Sequence, residues 1–493
     1  MAERRTDELQ RLGELFESEP DRLSRLTFDV AGIYFDWSKT NLDQAVVAEF
    51  AARADKAGFA AARDALFGGG IANPSEGRPA THVAERGNGS PDEVAIAAEY
   101  RQRMRALVDA IEAGAFGAVT GVLHIGIGGS VLGPALLVDA LERRSAKLDV
   151  RFLANIDGAA VDDAVKDLDP ATTLVVVASK SFTTLETLAN MDAALDWLRG
   201  AGIADPEGRL IAVTAKPDKA LDAGIDETRI LPFGEGVGGR YSLWSAVGVS
   251  AALALGWEAF EELLEGAAEM DRHFRFADTA ENVPLIAAFA DRLYVERGFQ
   301  TRAVFAYDER LRLLPPYLQQ LEMESNGKSV TSAGKPVAEA TAPVTWGGVG
   351  TDAQHAVFQL LHQGTVQVAV EFVAVRESED QQDPERHRLL LLNAFAQGAA
   401  LMAGRASDDP QRAYPGNRPS ATILLDRLDP RTLGALISFY EQRTFANAVL
   451  LGINPFDQFG VELGKDIARA LAEGKGDDDL DASTRALMER AGL

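Results

Sequence analysis

The sequence predicts an α/β protein with two doubly wound parallel sheets, helices on both faces of each sheet, and helical segments near both ends of the chain. Short apolar runs alternate with stretches of helical spacing, which is the pattern of parallel strands joined by helices. This alternation occurs twice, in two regions separated by a helix-rich stretch. The strand-like runs are residues 122–125, 150–153, 173–178, 210–213 and 229–231 in the first region, and 303–306, 366–375 and 421–425 in the second.

We expect the chain to divide into four parts. Asn73-Pro74 and Gly87-Asn88-Gly89 mark a loop-like stretch between a helical beginning and the first strand region. A stretch rich in Ala, Leu and Glu joins the two strand regions. The expected parts are a helical amino-terminal segment over residues 1–90 that packs on the larger lobe, a first sheet subdomain over 91–242, a helical connection over 243–300, and a second sheet subdomain with carboxyl-terminal helices over 301–493.

The composition excludes several kinds of chemistry and partner. The 493 residues include no cysteine, which excludes disulfides, thiolate catalysis and cysteine-ligated metals. A formal net charge of −25 argues against nucleic acid and anionic membranes, because both are bound through clustered Lys and Arg. No apolar run is long enough to cross a bilayer, and the first residues lack the apolar core of a secretory signal. We therefore expect a cytoplasmic protein.

A glycine-rich turn after the first strand-like run is typical of an anion site. Gly126, Gly128 and Gly129 let backbone N–H groups approach a ligand where a helix begins. Val131 occupies a position where the dinucleotide fingerprint requires glycine, and Glu322 stands where a phosphate-loop sequence would need its first glycine. The turn therefore predicts a site for a small anionic metabolite and not for a nucleotide.

A hydroxyl-rich segment follows the run 173–178. Ser179-Lys180-Ser181-Phe182-Thr183-Thr184-Leu185-Glu186-Thr187 offers five hydroxyls and a lysine where a helix begins. Hydroxyls and helix N–H groups donate to a phosphate, and Lys180 supplies a positive charge. The alternative is an ordinary Ser/Thr helix cap, although a cap needs only one hydroxyl.

Other segments contain candidate catalytic groups. Arg240 follows two glycines and can either stabilise an oxyanion or lie in a surface turn. Glu324 follows a predicted helix and can act as a general base or be simply solvated. His355 and His362 lie seven residues apart, which is not the spacing of a zinc pair, and either can be a core histidine. Lys465 ends a motif-like segment that starts at residue 456.

Five long motifs, taken in order, resemble those of the glucose-6-phosphate isomerases, a family with the SIS-type phosphosugar-isomerase fold. The motifs are Gly-Ile-Gly-Gly-Ser-x-Leu-Gly-Pro, Ser-Lys-Ser-Phe-Thr-Thr-x-Glu-Thr, Val-Gly-Gly-Arg-Tyr-Ser-Leu-Trp-Ser-Ala, Met-Glu-Ser-Asn-Gly-Lys and Phe-Asp-Gln-x-Gly-Val-Glu-Leu-Gly-Lys. The resemblance covers nearly the whole chain from about residue 25. It implies that both sheet subdomains are of the SIS type.

The resemblance also implies an activity, the interconversion of glucose 6-phosphate and fructose 6-phosphate in glycolysis and gluconeogenesis by ring opening and proton transfer through a cis-enediol. It implies that Glu324 moves the proton between C2 and C1, and that Arg240 stabilises the negative charge. His355 and Lys465 would assist ring opening, with His355 reaching in from the other subunit of a homodimer. The implied substrate-binding residues are Ser179, Lys180, Ser181 and Thr184 at the phosphate, with Thr187 nearby, Gly129 and Ser130 at the sugar, and Gln320 and Gln458 at either group.

This chemistry is consistent with the composition. An aldose–ketose isomerisation needs one base and one cation, and it uses neither a metal nor a redox cofactor, so we expect no cofactor. A positive cluster of Lys180, Arg240 and Lys465 would attract an anionic substrate in spite of the acidic surface.

Two other functions remain open. A regulator on the same fold would keep the phosphate-binding residues and lose the base. An isomerase that also accepts mannose 6-phosphate would need proton transfer at C2 with either stereochemistry. The sequence departs from the usual family pattern at Val131, Gly236, Gly348-Val349 and Asp352-Ala353, positions that affect the sugar site and leave every proposed catalytic group in place.

Overall fold

The computed structural model describes residues 9–141, 147–378, 383–475 and 480–493, and it confirms the predicted α/β class with two helix-flanked sheets. Within these ranges the strands are β1 (Thr27–Val30), β2 (Ile33–Asp36), β3 (Gly121–Ile125), β4 (Asp149–Leu153), β5 (Thr173–Ala178), β6 (Leu210–Thr214), β7 (Ile230–Pro232), β8 (Thr301–Tyr307), β9 (Val344–Val349), β10 (Val368–Val375) and β11 (Ser420–Leu425). The helices are α1 (Leu12–Ser18), α2 (Arg22–Leu26), α3 (Gln44–Lys56), α4 (Phe59–Phe67), α5 (Pro91–Glu112), α6 (Gly129–Leu141), α7 (Gly158–Val165), α8 (Leu185–Gly200), α9 (Pro217–Asp222), α10 (Val249–Leu255), α11 (Trp257–Phe276), α12 (Val283–Glu296), α13 (Leu314–Leu318), α14 (Gly350–Gln363), α15 (Pro384–Ala403), α16 (Pro430–Leu451), α17 (Glu462–Ala472) and α18 (Ala482–Ala491).

The first sheet contains five parallel strands in the order β4-β3-β5-β6-β7. Its three central strands are buried along their whole length. Helices on both faces explain this burial, and they explain why the strands are continuous apolar runs in the sequence. Each strand-like run predicted for this region overlaps one of the five strands.

The second sheet is mixed. Four parallel strands run in the order β11-β10-β8-β9, and the β1–β2 hairpin joins edge strand β11 in antiparallel fashion. Ala31 and Gly32 connect the hairpin with φ of +53° and +75°, the left-handed conformation of tight hairpin turns. The expected helical amino-terminal segment therefore also contains a β-hairpin at residues 27–36. Strand β9 escapes the sequence analysis because Gly347 and Gly348, in its second half, have little strand propensity.

The helices between the two sheets form the centre of the molecule. Helices α11 and α16 pack along each other, and every residue of α16 from Thr432 to Ala448 is buried. One apolar core combines these helices with α12 and with side chains of both sheets, such as Val176 and Val373. None of the helices in the described ranges combines the length and apolarity of a membrane span.

The carboxyl ends of the strands lie on the side where a site is expected, because ligands of open parallel sheets bind there. A glycine-rich loop follows β3, a hydroxyl-rich loop follows β5, and residues 233–238 follow β7. Strand β8 leads through α13 into a π-helical turn, Gln319–Glu324. The candidate site lies where these segments meet.

Candidate active site

Two glycine loops of the first sheet touch at the site. A Cβ atom at Gly129 would lie 2.1 Å from the carbonyl carbon and oxygen of Gly239 and 2.4 Å from the backbone nitrogen of Arg240. Gly128 has φ of +57°, and a Cβ there would lie 2.7 Å from Nε2 of Gln320. The glycines that the sequence assigned to an anion site thus also allow a close contact with the arginine-bearing loop.

We expect Gly129→Ala to lower the free energy of unfolding by at least about 3 kcal/mol, because the new methyl group would overlap backbone that has no side-chain freedom to move away. The matched control is Gly239→Ala on the other side of the contact, where a Cβ meets nothing within 4 Å. Urea unfolding of both variants measures the difference. Equal midpoints for the two variants would contradict this account of the loop contact.

The hydroxyl-rich loop turns sharply at Phe182. This residue has φ of +51°, and its ring is buried. The Ser179 hydroxyl accepts a hydrogen bond from the Phe182 N–H at 3.1 Å and lies 3.2 Å from the Thr184 hydroxyl. Ser181 and Thr183 remain exposed, with their hydroxyls 2.9 Å apart. The loop therefore offers hydroxyl groups to solvent at the start of α8, as a phosphate site requires.

Lys180 links this loop to the segment after β7. Its ammonium group donates to the carbonyls of Glu235 and Val237 at 2.7 and 2.8 Å. Burial lowers the pKa of Lys180 to about 8, and the positive charges of Arg78 and Arg240 act in the same direction. Because an ammonium has three donors, one N–H of Lys180 remains for an anion.

Arg240 is held rigidly behind the site. Its Nε donates to the Ser325 hydroxyl at 2.6 Å, Nη1 donates to the Gln458 side chain at 3.1 Å, and Nη2 donates to the carbonyls of Pro455 and Asp457. The side chain is 2% exposed, and its Nη1 lies 3.5 Å from the Glu324 carboxylate. A guanidinium fixed in this way can stabilise negative charge without reorganising during a reaction.

Glu324 ends the π-helical turn. In the described part of the chain, Arg240 is the one side chain within ion-pair distance of its carboxylate, which is 19% exposed. The turn places Gln319, Gln320, Met323 and Glu324 on the wall of one cavity. Single π-helical turns inside helices are frequent at functional sites. This carboxylate is accessible, close to a cation, and thus suited to act as a base.

The cavity has a volume of about 810 Å³ and lies between the π-helical turn, residues 327–334 and residues 454–461. It brings together three predicted site residues, Gln320, Glu324 and Gln458, with Arg240 directly behind Gln458 and Glu324. A volume of this size lies within the range of small-molecule sites.

The prediction from sequence misses the polar support on the opposite wall. Lys328 donates to the backbone carbonyls of Glu324 and Asp457 and pairs with the Asp457 carboxylate at 2.9 Å. Burial acts to raise the pKa of Asp457, but hydrogen bonds from Ser75 and Lys328 outweigh it and hold this pKa below its usual value. Ser75 and Asn454 complete the set at 2.7 and 2.8 Å from the same carboxylate oxygen. Asp457 belongs to the motif that starts at Phe456, but nothing in the sequence pattern indicates that Ser75 lies beside it.

Ten of the thirteen predicted site residues do not line this cavity in the single chain. They are Arg240 behind it, the glycine-loop and hydroxyl-loop residues Gly129, Ser130, Ser179, Lys180, Ser181 and Thr184, and also Thr187, His355 and Lys465. His355 on α14 and Lys465 on α17 are exposed to solvent, and Thr187 is buried inside α8 with 1% of its surface exposed. Thr187 is therefore closed to direct contact with a ligand. His362 contacts Gln397 at 2.9 Å and packs against the Tyr414 ring, which agrees with the alternative of a packed structural histidine.

A carboxylate beside a fixed guanidinium, beyond the carboxyl ends of parallel strands, fits the class of α/β isomerases that act by proton transfer. Comparisons with known proteins agree with this class and identify the family within it. The sequence profile of the phosphoglucose isomerase family matches residues 36–488. The chain belongs to this family.

Individual relatives support the assignment over nearly the full length. A glucose-6-phosphate isomerase of Rhizorhabdus wittichii is 64% identical over 481 residues, which cover 97% of this chain and 96% of the relative. The enzyme of the same name from Zymomonas mobilis is 56% identical, with 97% and 95% covered. The crystal structure of a glucose-6-phosphate isomerase from Chlamydia trachomatis superimposes with a TM-score of 0.87 at 30% identity and covers 96% of this chain and 94% of its own.

Proposed function

We propose that this chain interconverts D-glucose 6-phosphate and D-fructose 6-phosphate. The observation that supports this most directly is the Glu324 carboxylate on the cavity wall, 3.5 Å from the buried guanidinium of Arg240. A base and a fixed cation at this distance are the two groups that an aldose–ketose isomerisation needs. The family relatives carry the same activity in their names.

The proposed reaction moves one proton along the open-chain sugar. Glu324 removes the proton from C2 of the aldose, and the electron pair of that bond moves into the C1–C2 double bond of a cis-enediol. Arg240 stabilises the negative charge that develops on the sugar oxygen. Glu324 then returns the proton to C1, while O1 gains a proton and O2 loses one, which gives the ketose. Gln320 and Gln458, which line the same cavity, would contact the sugar or its phosphate.

The phosphate would bind at the loop after β5, through Ser179, Lys180, Ser181 and Thr184, with Gly129 and Ser130 beside the sugar. Support comes from the exposed Ser181 hydroxyl, the Ser179–Thr184 pair, and a Lys180 ammonium that contacts the loop leading to Arg240. Thr187 would lie near the phosphate without touching it, because its side chain is buried.

We expect kcat/KM to fall as the pH rises through about 8. The pKa of Lys180 is lowered to about 8, so the side chain is positive below this pH and neutral above it, and only the positive form attracts a phosphate. Because kcat/KM reports the free enzyme, a pH series of initial rates measures this pKa. Lys180→Arg keeps its charge throughout and should remove the fall. The same alkaline fall in both proteins would show that another group titrates.

His355 and Lys465 would assist ring opening, and we propose that His355 does so from the second copy of a homodimer. Both residues are exposed in the single chain. Helix α15 presents Leu389, Leu392 and Phe395 to solvent at a spacing of three residues, which gives an apolar face that a second copy would cover. Sedimentation at micromolar concentration tests this proposal. A fully active monomer would contradict both the dimer and the role of His355.

We also propose a division into subdomains and a location. The four expected parts, at 1–90, 91–242, 243–300 and 301–493, agree with one sheet per subdomain, except that the β1–β2 hairpin of the first part extends the second sheet. Limited proteolysis tests these boundaries.

A cytoplasmic location would place the enzyme in the same compartment as its charged sugar-phosphate substrates. Cell fractionation with activity measurements tests this location.

The decisive experiment is a coupled assay of glucose 6-phosphate formation from fructose 6-phosphate, with a chelator present. We expect turnover by the purified chain. An inactive chain that still binds fructose 6-phosphate would instead support the regulator. Mannose 6-phosphate in the same assay format, with fructose 6-phosphate as the product, determines whether the enzyme accepts the second aldose.

A further inference from the structure

We infer that Glu322, two residues before the proposed base, is a positioning residue that holds Glu324 in place for proton transfer. This inference rests on the proposed function of Glu324. It concerns a group that faces away from the cavity, is buried, and has no place in the proposed mechanism.

The carboxylate of Glu324 has little support of its own. Its one ion-pair partner in the described ranges is Arg240 at 3.5 Å, which is longer than a hydrogen bond. The position of the base relative to C2 of a sugar therefore depends on the backbone of the π-helical turn. Residues two apart on a helical turn point to nearly opposite sides, so the side chain of Glu322 points inward when Glu324 faces the cavity.

Glu322 attaches this turn to the second sheet. Both of its carboxylate oxygens accept from Nη2 of Arg302, and Oε2 also accepts from the Thr345 hydroxyl at 2.7 Å. Arg302 on β8 and Thr345 on β9 are direct cross-strand partners. One carboxylate thus connects the π-helical turn to two neighbouring strands of the second sheet.

Arg302 is itself fixed by a buried charge cluster, which we define as Arg302, Arg443, Asp291, Glu322 and Glu371. Arg302 pairs with Glu371 at 3.3 Å, and Arg443 bridges Glu371 and Asp291 at 2.6 and 2.5 Å. Burial acts to raise the pKa of Glu371, but Arg443 and Arg302 outweigh it and keep this pKa below its usual value. The cluster holds two positive and three negative groups, so removal of one carboxylate charge leaves it balanced.

The three acidic groups of the buried charge cluster allow the positioning role of Glu322 to be tested against a matched control. Glu322→Gln and Asp291→Asn each remove one negative charge from the buried charge cluster, but only Glu322 lies on the catalytic turn. Asp291 lies on α12, where it contacts Arg443 and Asn447. Both variants should lose comparable stability in urea unfolding. Only Glu322→Gln should lower kcat, by about tenfold to a hundredfold, with KM within about twofold of the parent, as expected when a reacting group is displaced by a fraction of an ångström.

A second readout separates positioning from general damage. With glucose 6-phosphate deuterated at C2, the isotope effect on kcat should be larger in Glu322→Gln than in the parent, because proton transfer becomes more rate-limiting. Thr345→Val removes one hydrogen bond to Glu322 without a change in charge, so it tests the same positioning role if Glu322→Gln does not fold. We expect its loss of kcat to be smaller than the loss expected for Glu322→Gln.

The outcomes distinguish the two hypotheses. An inactive parent would overturn the proposed function itself. An active parent with unchanged kcat in Glu322→Gln, or with equal losses of kcat in Glu322→Gln and Asp291→Asn, would overturn the positioning role alone. If Glu322→Gln does not fold, an unchanged kcat in Thr345→Val would overturn it as well.

Discussion

Glu324→Gln should lower kcat by at least about a hundredfold, the usual effect of removing a general base. The amide has nearly the same shape as the carboxylate, and it remains beside Arg240, so binding of the sugar phosphate should be retained and KM should change by less than about threefold. Initial rates in the coupled assay measure both constants.

The control is Met323→Leu, a change of similar volume at the neighbouring position on the same cavity wall. It should retain most of the activity. If Glu324→Gln retained parental kcat, another group would have to be the base, and the mechanism proposed above would be wrong.

Arg240→Lys should lower kcat/KM by about a hundredfold to a thousandfold, although the positive charge is kept. A lysine ammonium cannot reproduce a planar group that reaches the Ser325 hydroxyl, the Gln458 side chain and two backbone carbonyls together. Carbonyls left without a donor should also lower the free energy of unfolding by about 2 kcal/mol or more. Assays and urea unfolding of the same preparation measure both effects.

Arg22→Lys provides a control for the loss of stability. Arg22 is equally buried and donates to the carbonyls of Ser38, Thr40 and Leu42, but it belongs to α2 and not to the site. This variant should be destabilised to a similar degree with kcat/KM near the parental value. Comparable losses of activity in both variants would mean that Arg240 acts only through the fold.

The pairing of Arg240 with Glu324 could be predicted because their motifs resemble those of the glucose-6-phosphate isomerases, whereas the local pattern alone left a surface alternative open for each residue. Arg240 lies in a loop beyond the carboxyl end of β7, and Glu324 follows a helix reached from β8, so the tendency of ligands to bind at strand ends brings them to one region. The glycines at 128 and 129 were predicted for an anion, and the structure adds that they allow contact with Gln320 and the backbone at Gly239.

The supporting contacts could not be predicted, because they join common polar residues across long separations. Ser75 and Asp457 are 382 residues apart, and Glu322 and Thr345 belong to elements that the sequence pattern does not place side by side. The amino-terminal strands were missed for a related reason. Ile33 and Phe35 are buried among residues from near the other end of the chain: both lie on the strand that pairs with β11, and the Phe35 ring packs against Phe439 of α16.

That hairpin has a consequence for how the chain folds during synthesis. The amino-terminal region is also fastened by a hydrogen bond from the Leu12 N–H to the Asn417 side chain, 405 residues later. At about 5–20 residues per second, a ribosome needs roughly 20–80 s to complete that stretch. During this time strand β2 can pair with β1 but not with β11, so the hairpin joins the rest of the second sheet only after nearly 400 further residues have been made.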